Sequence, residues 1–259
     1  MLNKNEKCAV FLDIDGTLLS DSFIIPPENL RAIKAAQEKG HLVFINTGRS
    51  WGNIPPVLME QFKGFDGIIS GIGSMITING ETVYKSFMPE DLIKRIMKYA
   101  FDHPEYWALF EGVNDVYSLP NDRYAMRDYQ IPVENPEDYI KICNGDNIQV
   151  VAMGKTVPED FKELFKDDLT VFQFETYADL VKKGLNKAEG IKKAIEIMGI
   201  KRENTVAIGD SNNDFDMIEY AGVGVAMANS QQTILDIADY VTSSNHEFGV
   251  AKAINEILL

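Results

Sequence analysis

Near its start and again near its end, the chain alternates short apolar runs with stretches of helical spacing, and that rhythm restricts the possible folds more than any other feature. Cys8 to Ile14 reads as a buried strand, and Pro27 to Lys39 follows with helical spacing at Leu30, Ile33 and Ala36 until Gly40 stops it. Leu42 to Asn46, a helix over roughly Asn53 to Phe62, and a strand through Ile68 and Ile69 repeat the pattern. Such alternation needs a parallel sheet covered by helices, so the expected class is α/β with a Rossmann-like core. Met75 to Ile78, the Asn79-Gly80 pair and Thr82 to Tyr84 read as a hairpin with a type I′ turn.

The middle of the chain breaks the rhythm. A helix from about Pro89 to Phe101 is followed by strands at Tyr106 to Glu111 and Asp115 to Leu119, then a polar helical stretch near Arg123 to Tyr129. Further strands at Ile148 to Ala152, Thr170 to Phe174 and Ala178 to Val181, with helices between them, predict a separate α+β unit inserted into the parallel core. The expected division is therefore a core of residues 1–86 and 185–259 and an inserted domain of 87–184. From Asn186 the alternation resumes: a helix to Met198, Thr205 to Ile208, Phe215 to Tyr220, Val223 to Ala226, another helix, Tyr240 to Val241 and a final helix.

Composition restricts partners and compartment. The chain has 259 residues with 25 Lys and Arg against 39 Asp and Glu, a formal net charge of −14. Roughly 70–75% of the surface of a chain this long is available for burial, enough for a core without disulfides. Without long basic runs it lacks the electrostatic footprint for nucleic-acid phosphates or anionic lipid, although a small phosphorylated ligand is still compatible. No apolar run reaches the ~18–20 residues that span a bilayer, and the polar start Met-Leu-Asn-Lys-Asn-Glu-Lys lacks a signal-type apolar segment, so a cytoplasmic protein is expected. Cys8 and Cys143 are far apart without metal-type spacing and read as buried thiols. Oligomeric state is left open.

The chemistry is concentrated where strands end. In Phe11-Leu12-Asp13-Ile14-Asp15-Gly16-Thr17 two carboxylates close an apolar strand, at the sheet edge where parallel folds place ligands. Adjacent carboxylates there suit a divalent cation, and their repulsion raises the pKa of one of them. Thr47-Gly48, after the second strand, offers a hydroxyl and backbone N–H groups to a phosphoryl oxygen. Lys182, Lys183 and Lys187 stand near the start of the resumed core, and Gly209-Asp210-Ser211-Asn212-Asn213-Asp214 follows a further strand. Asp210 and Asp214 joined to the first pair make four carboxylates that need a divalent cation and a lysine to coexist. Other motifs are weaker: Gly154-Lys155-Thr156 is half a P-loop with Gln149 at the first glycine's place, Gly71-Ile72-Gly73 has Ile76 where a dinucleotide fingerprint has its third glycine, and His41, His103 and His246 have no ligand spacing.

In this order and on this frame the residues resemble the haloacid dehalogenase superfamily of phosphoryl-transfer enzymes. Asp13-Ile14-Asp15-Gly16-Thr17 matches its first motif, Thr47 in Thr-Gly-Arg its second, Lys187 its third and Gly209 to Asp214 its fourth. The insertion is similar to a type IIB cap, and Gly222 to Met227 with Asn229, and Asn245 to Val250, are similar to the Cof-like phosphatase branch, so the resemblance covers essentially the whole chain. It implies a Mg²⁺-dependent phosphatase of a small metabolite, a sugar phosphate or a phosphorylated cofactor, with the cap closing over the core. It further implies that Asp13 is the nucleophile forming an aspartyl-phosphate and Asp15 the general acid and base. Ile14, Thr47, Gly48, Lys187 and Asn213 are implied to hold phosphate, and Mg²⁺ to be bound by Asp13, the Asp15 carbonyl and Asp210, with Ser211 and Asp214 behind them. Two departures stand out: Ile72-Gly73-Ser74 replaces the Asn-Gly-Ala of many relatives, and Ala188 follows the motif lysine, leaving Lys183 as a competitor that spacing to the next helix disfavours. A phosphosugar mutase of the same superfamily and a phospho-accepting signalling module are the alternative functions.

Overall fold

The structure, a computed structural model, describes residues 6–119, 129–135 and 139–259. Fully buried Ala9–Leu12 forms β1, and α1 (Pro27–Glu38) starts with Pro27, whose missing N–H costs nothing in a first turn. Ala32, Ile33 and Ala36 form the buried stripe of α1. β2 (Leu42–Asn46) follows, then α2 (Pro56–Phe62). The helix expected from Asn53 begins only at Pro56 because residues that precede proline are pushed out of helical backbone, and Trp51–Asn53 makes a separate 3₁₀ turn. β3 (Gly67–Ser70), β4 (Met75–Ile78) and β5 (Glu81–Lys85) complete this part. The turn joining β4 to β5 has φ of 50° at Asn79 and 82° at Gly80, the two positive values a type I′ turn requires.

The intervening segment contains α3 (Glu90–Asp102), β6 (Ala108–Gly112), β7 (Val116–Ser118), β8 (Gln130–Pro132), α4 (Tyr139–Cys143), β9 (Ile148–Gly154), α5 (Glu159–Phe165), β10 (Leu169–Gln173) and β11 (Tyr177–Lys182). The core then resumes with α6 (Lys187–Met198), β12 (Thr205–Gly209), α7 (Phe215–Tyr220), β13 (Val223–Ala226), α8 (Gln232–Leu235), β14 (Tyr240–Val241) and α9 (Gly249–Ile257). The polar helix expected near Arg123 to Tyr129 falls almost wholly outside the described residues. Strand β8 departs from the expected pattern: it is three residues long and ends in proline, which weakens any strand signal.

Two compact units result. One comprises the chain up to Gly48, Pro55–Lys85 and Asn186–Leu259. Its sheet, among the described residues, has the order β14-β13-β12-β1-β2-β3-β4-β5, parallel except where β4 and β5 turn back. Ala9, Phe11, Phe44 and Ala207 pack on one face against Ile191, Ala194 and Ile195 of α6 and Met217 and Ile218 of α7. On this unit, α1 also packs along α9 and against β2. Strand register sets where the polar loops meet: Leu12 lies opposite both Ile45 and Ile208, so β1, β2 and β12 end level with one another.

The other unit comprises Ser86–Leu185 and, separately, Arg49–Ile54. Its sheet runs β10-β11-β9-β6-β7-β8 and is antiparallel apart from the β7–β8 pair. The apolar face of α3, through Leu92, Ile93, Ile96 and Met97, joins Phe161 and Phe165 of α5 over Phe110, Tyr117, Val151 and Met153 of the sheet. Residues 49–54 are laced to the same sheet: the Trp51 N–H donates to Gln149 Oε1 at 2.7 Å, and the Ser50 N–H faces the buried Glu111 carboxylate. Burial raises the Glu111 pKa, with Asn53, Ser50 and Arg49 pulling against it.

Candidate active site

Because β1, β2 and β12 end level, the residues that follow them are neighbours although the chain separates them widely. Asp13 is buried just past β1, and its N–H still donates to the Ile208 carbonyl at 3.0 Å. The chain then turns tightly, with the Ile14 carbonyl accepting from the Leu19 N–H at 3.0 Å and from the Thr17 N–H at 3.4 Å. Ile14 is buried inside this turn, and Asp15 stands on its exposed side. Gly16 has φ of +87°, and a Cβ there would lie 2.3 Å from Asp210 Oδ2, so both backbone angle and space demand glycine.

Thr47 is buried past β2, its N–H bonded to the Ile69 carbonyl and its carbonyl to the Ile72 N–H. Gly48, half-buried, is the last residue of this unit before the 49–54 segment. Ile72, buried with φ of 53°, occupies a backbone region that β-branched residues rarely adopt.

Lys187 is the first residue of α6, whose start is fixed by Asn186, the side chain of which accepts from the Glu189 N–H at 2.7 Å. The Lys187 side chain is fully buried, and its Nζ donates to Asp13 Oδ1 at 2.7 Å and to Asp214 Oδ1 at 2.5 Å. Of the two candidate lysines, Lys187 is thus the one brought to Asp13. Asp214 is completely enclosed: its second oxygen accepts from the N–H groups of Asp210 and Ser211 at 3.0 and 2.9 Å. Ser211 Oγ donates to Asn213 Oδ1 at 2.9 Å, which leaves Asn213 buried in the same short 3₁₀ turn.

Asp13, Asp210 and Asp214 each bring a carboxylate oxygen within 4.8 Å of the others. Among the described residues a single buried ammonium, that of Lys187, is bonded into this group of acids, and the electrostatics reflect the imbalance. Burial drives the Asp13 pKa well above the ordinary carboxylate value, Lys187 opposes it, and Asp214, Asp210 and Asp15 add to it. Asp210 is pushed up to about 7, by burial first and then by Asp214, against the pull of Thr17 and Lys187. Burial by itself pulls the Lys187 pKa down, but Asp13 and Asp214 outweigh it and hold the ammonium above its usual range. Carboxylate oxygens in excess of their counter-charge are the donor set of a hard divalent cation, so the cluster can bind a metal.

Several contacts escape a reading of the sequence, even where it singles out the residues. Thr17 Oγ1 donates to Asp210 Oδ1 at 3.1 Å, tying the turn after β1 to the end of β12. Asn229 Nδ2 donates to the Gly16 carbonyl at 2.9 Å, and Asn245 links Asn229 Oδ1 to the Leu19 carbonyl. Asn46 donates to the Lys187 carbonyl; a polar residue closing the apolar run Leu-Val-Phe-Ile directly before Thr47 is the available signal. Other residues weighed in the sequence have partners of their own. The Lys155 N–H is taken by the Thr176 carbonyl rather than offered to a ligand. His41 Nδ1 accepts from the Cys8 N–H, and His246 is exposed, 3.7 Å from Asp21. Cys8 and Cys143 are buried thiols, and no described helix is long and apolar enough to cross a membrane.

Comparison with known proteins agrees with this geometry. A family model described as haloacid dehalogenase-like hydrolase matches residues 10–254. The 5-amino-6-(5-phospho-D-ribitylamino)uracil phosphatase YcsE of Bacillus subtilis is 34% identical over 252 residues, covering 96% of this chain and 95% of that one. The phosphoglycolate phosphatase of Methanothermobacter thermautotrophicus is 28% identical over 254 residues, covering 96% and 98%. Among solved structures, the HAD subclass IIB sugar phosphatase BT4131 superposes with a TM-score of 0.82 at 30% identity, covering 96% of this chain and 98% of its own.

Proposed function

Since the chain belongs to the haloacid dehalogenase-like hydrolases, in the subclass IIB Cof-like branch, and is a phosphoric monoester hydrolase, we propose that it removes phosphate from a small phosphorylated metabolite in the cytoplasm by way of an aspartyl-phosphate. The observation that carries this reading is the buried Asp13 carboxylate held at 2.7 Å by Lys187, beside Thr47 and Asp210 at the ends of neighbouring strands.

In the first step an Asp13 oxygen attacks phosphorus as the ester P–O bond breaks, and Asp15 gives its proton to the departing alkoxide. In the second, water attacks phosphorus while Asp15 takes its proton, the acyl-phosphate bond breaks, and Asp13 is restored with release of inorganic phosphate. Lys187 spends two of its three N–H bonds on Asp13 and Asp214, which leaves the third for a phosphoryl oxygen. Thr47 Oγ1, the Gly48 and Ile14 amides and Asn213 are assigned the remaining phosphoryl oxygens. Such transfers depend on in-line positioning and on balancing spread negative charge rather than on covalent activation. Mg²⁺ is the cation proposed for the carboxylate cluster, held by Asp13, Asp210 and the Asp15 carbonyl with Ser211 and Asp214 behind them. When bound it supplies neutralising charge to the transferring group.

The core is assigned to 1–86 and 185–259, and reading of the leaving group to the inserted 87–184 unit. A sugar phosphate or a phosphorylated cofactor is the substrate class, supported by relatives whose names specify a sugar phosphatase and a ribitylaminouracil phosphatase. Phosphate release from a metabolite panel and from p-nitrophenyl phosphate, with Mg²⁺ or EDTA, tests the proposal. Turnover should need the metal and vanish in Asp13→Asn, while Asp15→Asn should slow poor leaving groups more than good ones. Turnover surviving in a folded Asp13→Asn protein would remove Asp13 as the nucleophile.

A further inference from the structure

Asn46 ends β2 immediately before Thr47, with no solvent exposure at all. The rest of its strand is Leu, Val, Phe and Ile, so an amide here runs against the pattern. Its Nδ2 donates to the Lys187 carbonyl at 3.2 Å and lies 3.4 Å from Met217 Sδ on α7. Its Oδ1 has no hydrogen-bond partner among the described residues. The reverse amide orientation would point Oδ1 at the Lys187 carbonyl, oxygen against oxygen, so the donor direction is fixed by its acceptor.

Half of this amide is therefore buried without compensation, which disfavours folding relative to an apolar side chain of the same shape. What the amide does achieve is a tie between two motifs 141 residues apart. It fastens the strand end that carries Thr47 to the first residue of α6, whose Nζ grips Asp13. We propose that Asn46 is a positioning residue for phosphoryl transfer: it fixes the backbone of Lys187, and through it the place of Nζ relative to Asp13 and Thr47. This rests on the phosphatase reading and on Lys187 acting in it.

Two substitutions separate positioning from stability. Asn46→Leu keeps the branched outline and removes the unpaired oxygen but adds volume in a closed site, so the two effects oppose and its melting temperature should stay close to that of the wild type. Asn46→Ala leaves a void and should melt lower. If Asn46 positions Lys187, both lower kcat on p-nitrophenyl phosphate by a similar factor, roughly tenfold or more, the scale of a misplaced electrostatic group, with KM changing much less. A kcat within twofold of wild type in either folded variant would overturn the proposal, as would kcat losses that simply track the melting temperatures. Lys187→Met is measured alongside: if it retains full turnover, the premise about Lys187 fails, an outcome distinct from failure of Asn46 alone.

Discussion

Replacing Lys187 with methionine removes the one ammonium that Asp13 and Asp214 share inside the protein. The side chain is fully buried, and its contacts at 2.7 and 2.5 Å are both with carboxylates. Methionine fills nearly the same space, so the cavity contribution is small. Leaving buried charges without their partner costs about 3–5 kcal/mol. For a chain of this size each kcal/mol shifts the midpoint by roughly 2–4 °C, so metal-free Lys187→Met should melt roughly 10 °C below metal-free wild type at pH 7.5.

The loss should depend on pH in a definite direction. The folded-state pKa of Asp13 already lies above its ordinary value with the lysine present, and removing the lysine raises it further. A carboxyl raised in the folded state contributes stability that is complete below its unfolded pKa, roughly 4, and is lost as pH rises through the folded value. The gap between variant and wild type should therefore be smallest near pH 4.5 and widen towards pH 7.5. Thermal unfolding followed by circular dichroism in EDTA measures it. An equal gap at both pH values, or one under about 1 kcal/mol, would show that the ammonium is not compensating buried carboxylates.

Three further outcomes are expected. Asp210, raised to about 7 without metal, should make the metal-free protein lose stability as pH rises from roughly 4 to 7; Mg²⁺ should then raise the melting temperature more at pH 8 than at pH 5, and a pH-independent Mg²⁺ shift would contradict this. Gly16→Ala forces a Cβ to within 2.3 Å of Asp210 Oδ2. It should raise the Mg²⁺ concentration for half-maximal rate by roughly tenfold or more, as disturbed metal surroundings do, and an unchanged metal titration would count against Asp210 as a ligand. Gly80→Ala meets nothing within 4 Å but sits at φ of 82°, so it should cost only the backbone strain of about 1–2 kcal/mol and leave turnover unaltered.

Much of the site is readable because it derives from strand ends. Apolar runs that end in Asp13 and Asp210 mark two strand ends as ligand sites, whereas Thr47 and Lys187 join them only through the family resemblance, and it is the observed register of β1, β2 and β12 that sets the strand ends level. The hairpin at Asn79-Gly80 is equally legible, since its dipeptide prescribes its own backbone. What escapes depends on side-chain reach across long sequence separations. Nothing local to Asn46 announces a bond to the Lys187 carbonyl, and nothing local to Thr17 announces Asp210. Asp214 reads in sequence as one more acid of the cluster. Its enclosure by Lys187 and two backbone N–H groups becomes visible only once the 3₁₀ turn after β12 is formed.

The attachment of residues 49–54 to the sheet of the inserted unit bears on how this protein could be taken apart and recombined. A graft that exchanged only 87–184 for the corresponding part of a relative would discard Gln149 and Glu111 while retaining the Ser50 and Trp51 amides that face them. The host would keep a strip of backbone donors with its counterpart missing. Chimaeras that exchange the inserted unit therefore need a second, six-residue exchange beside Gly48.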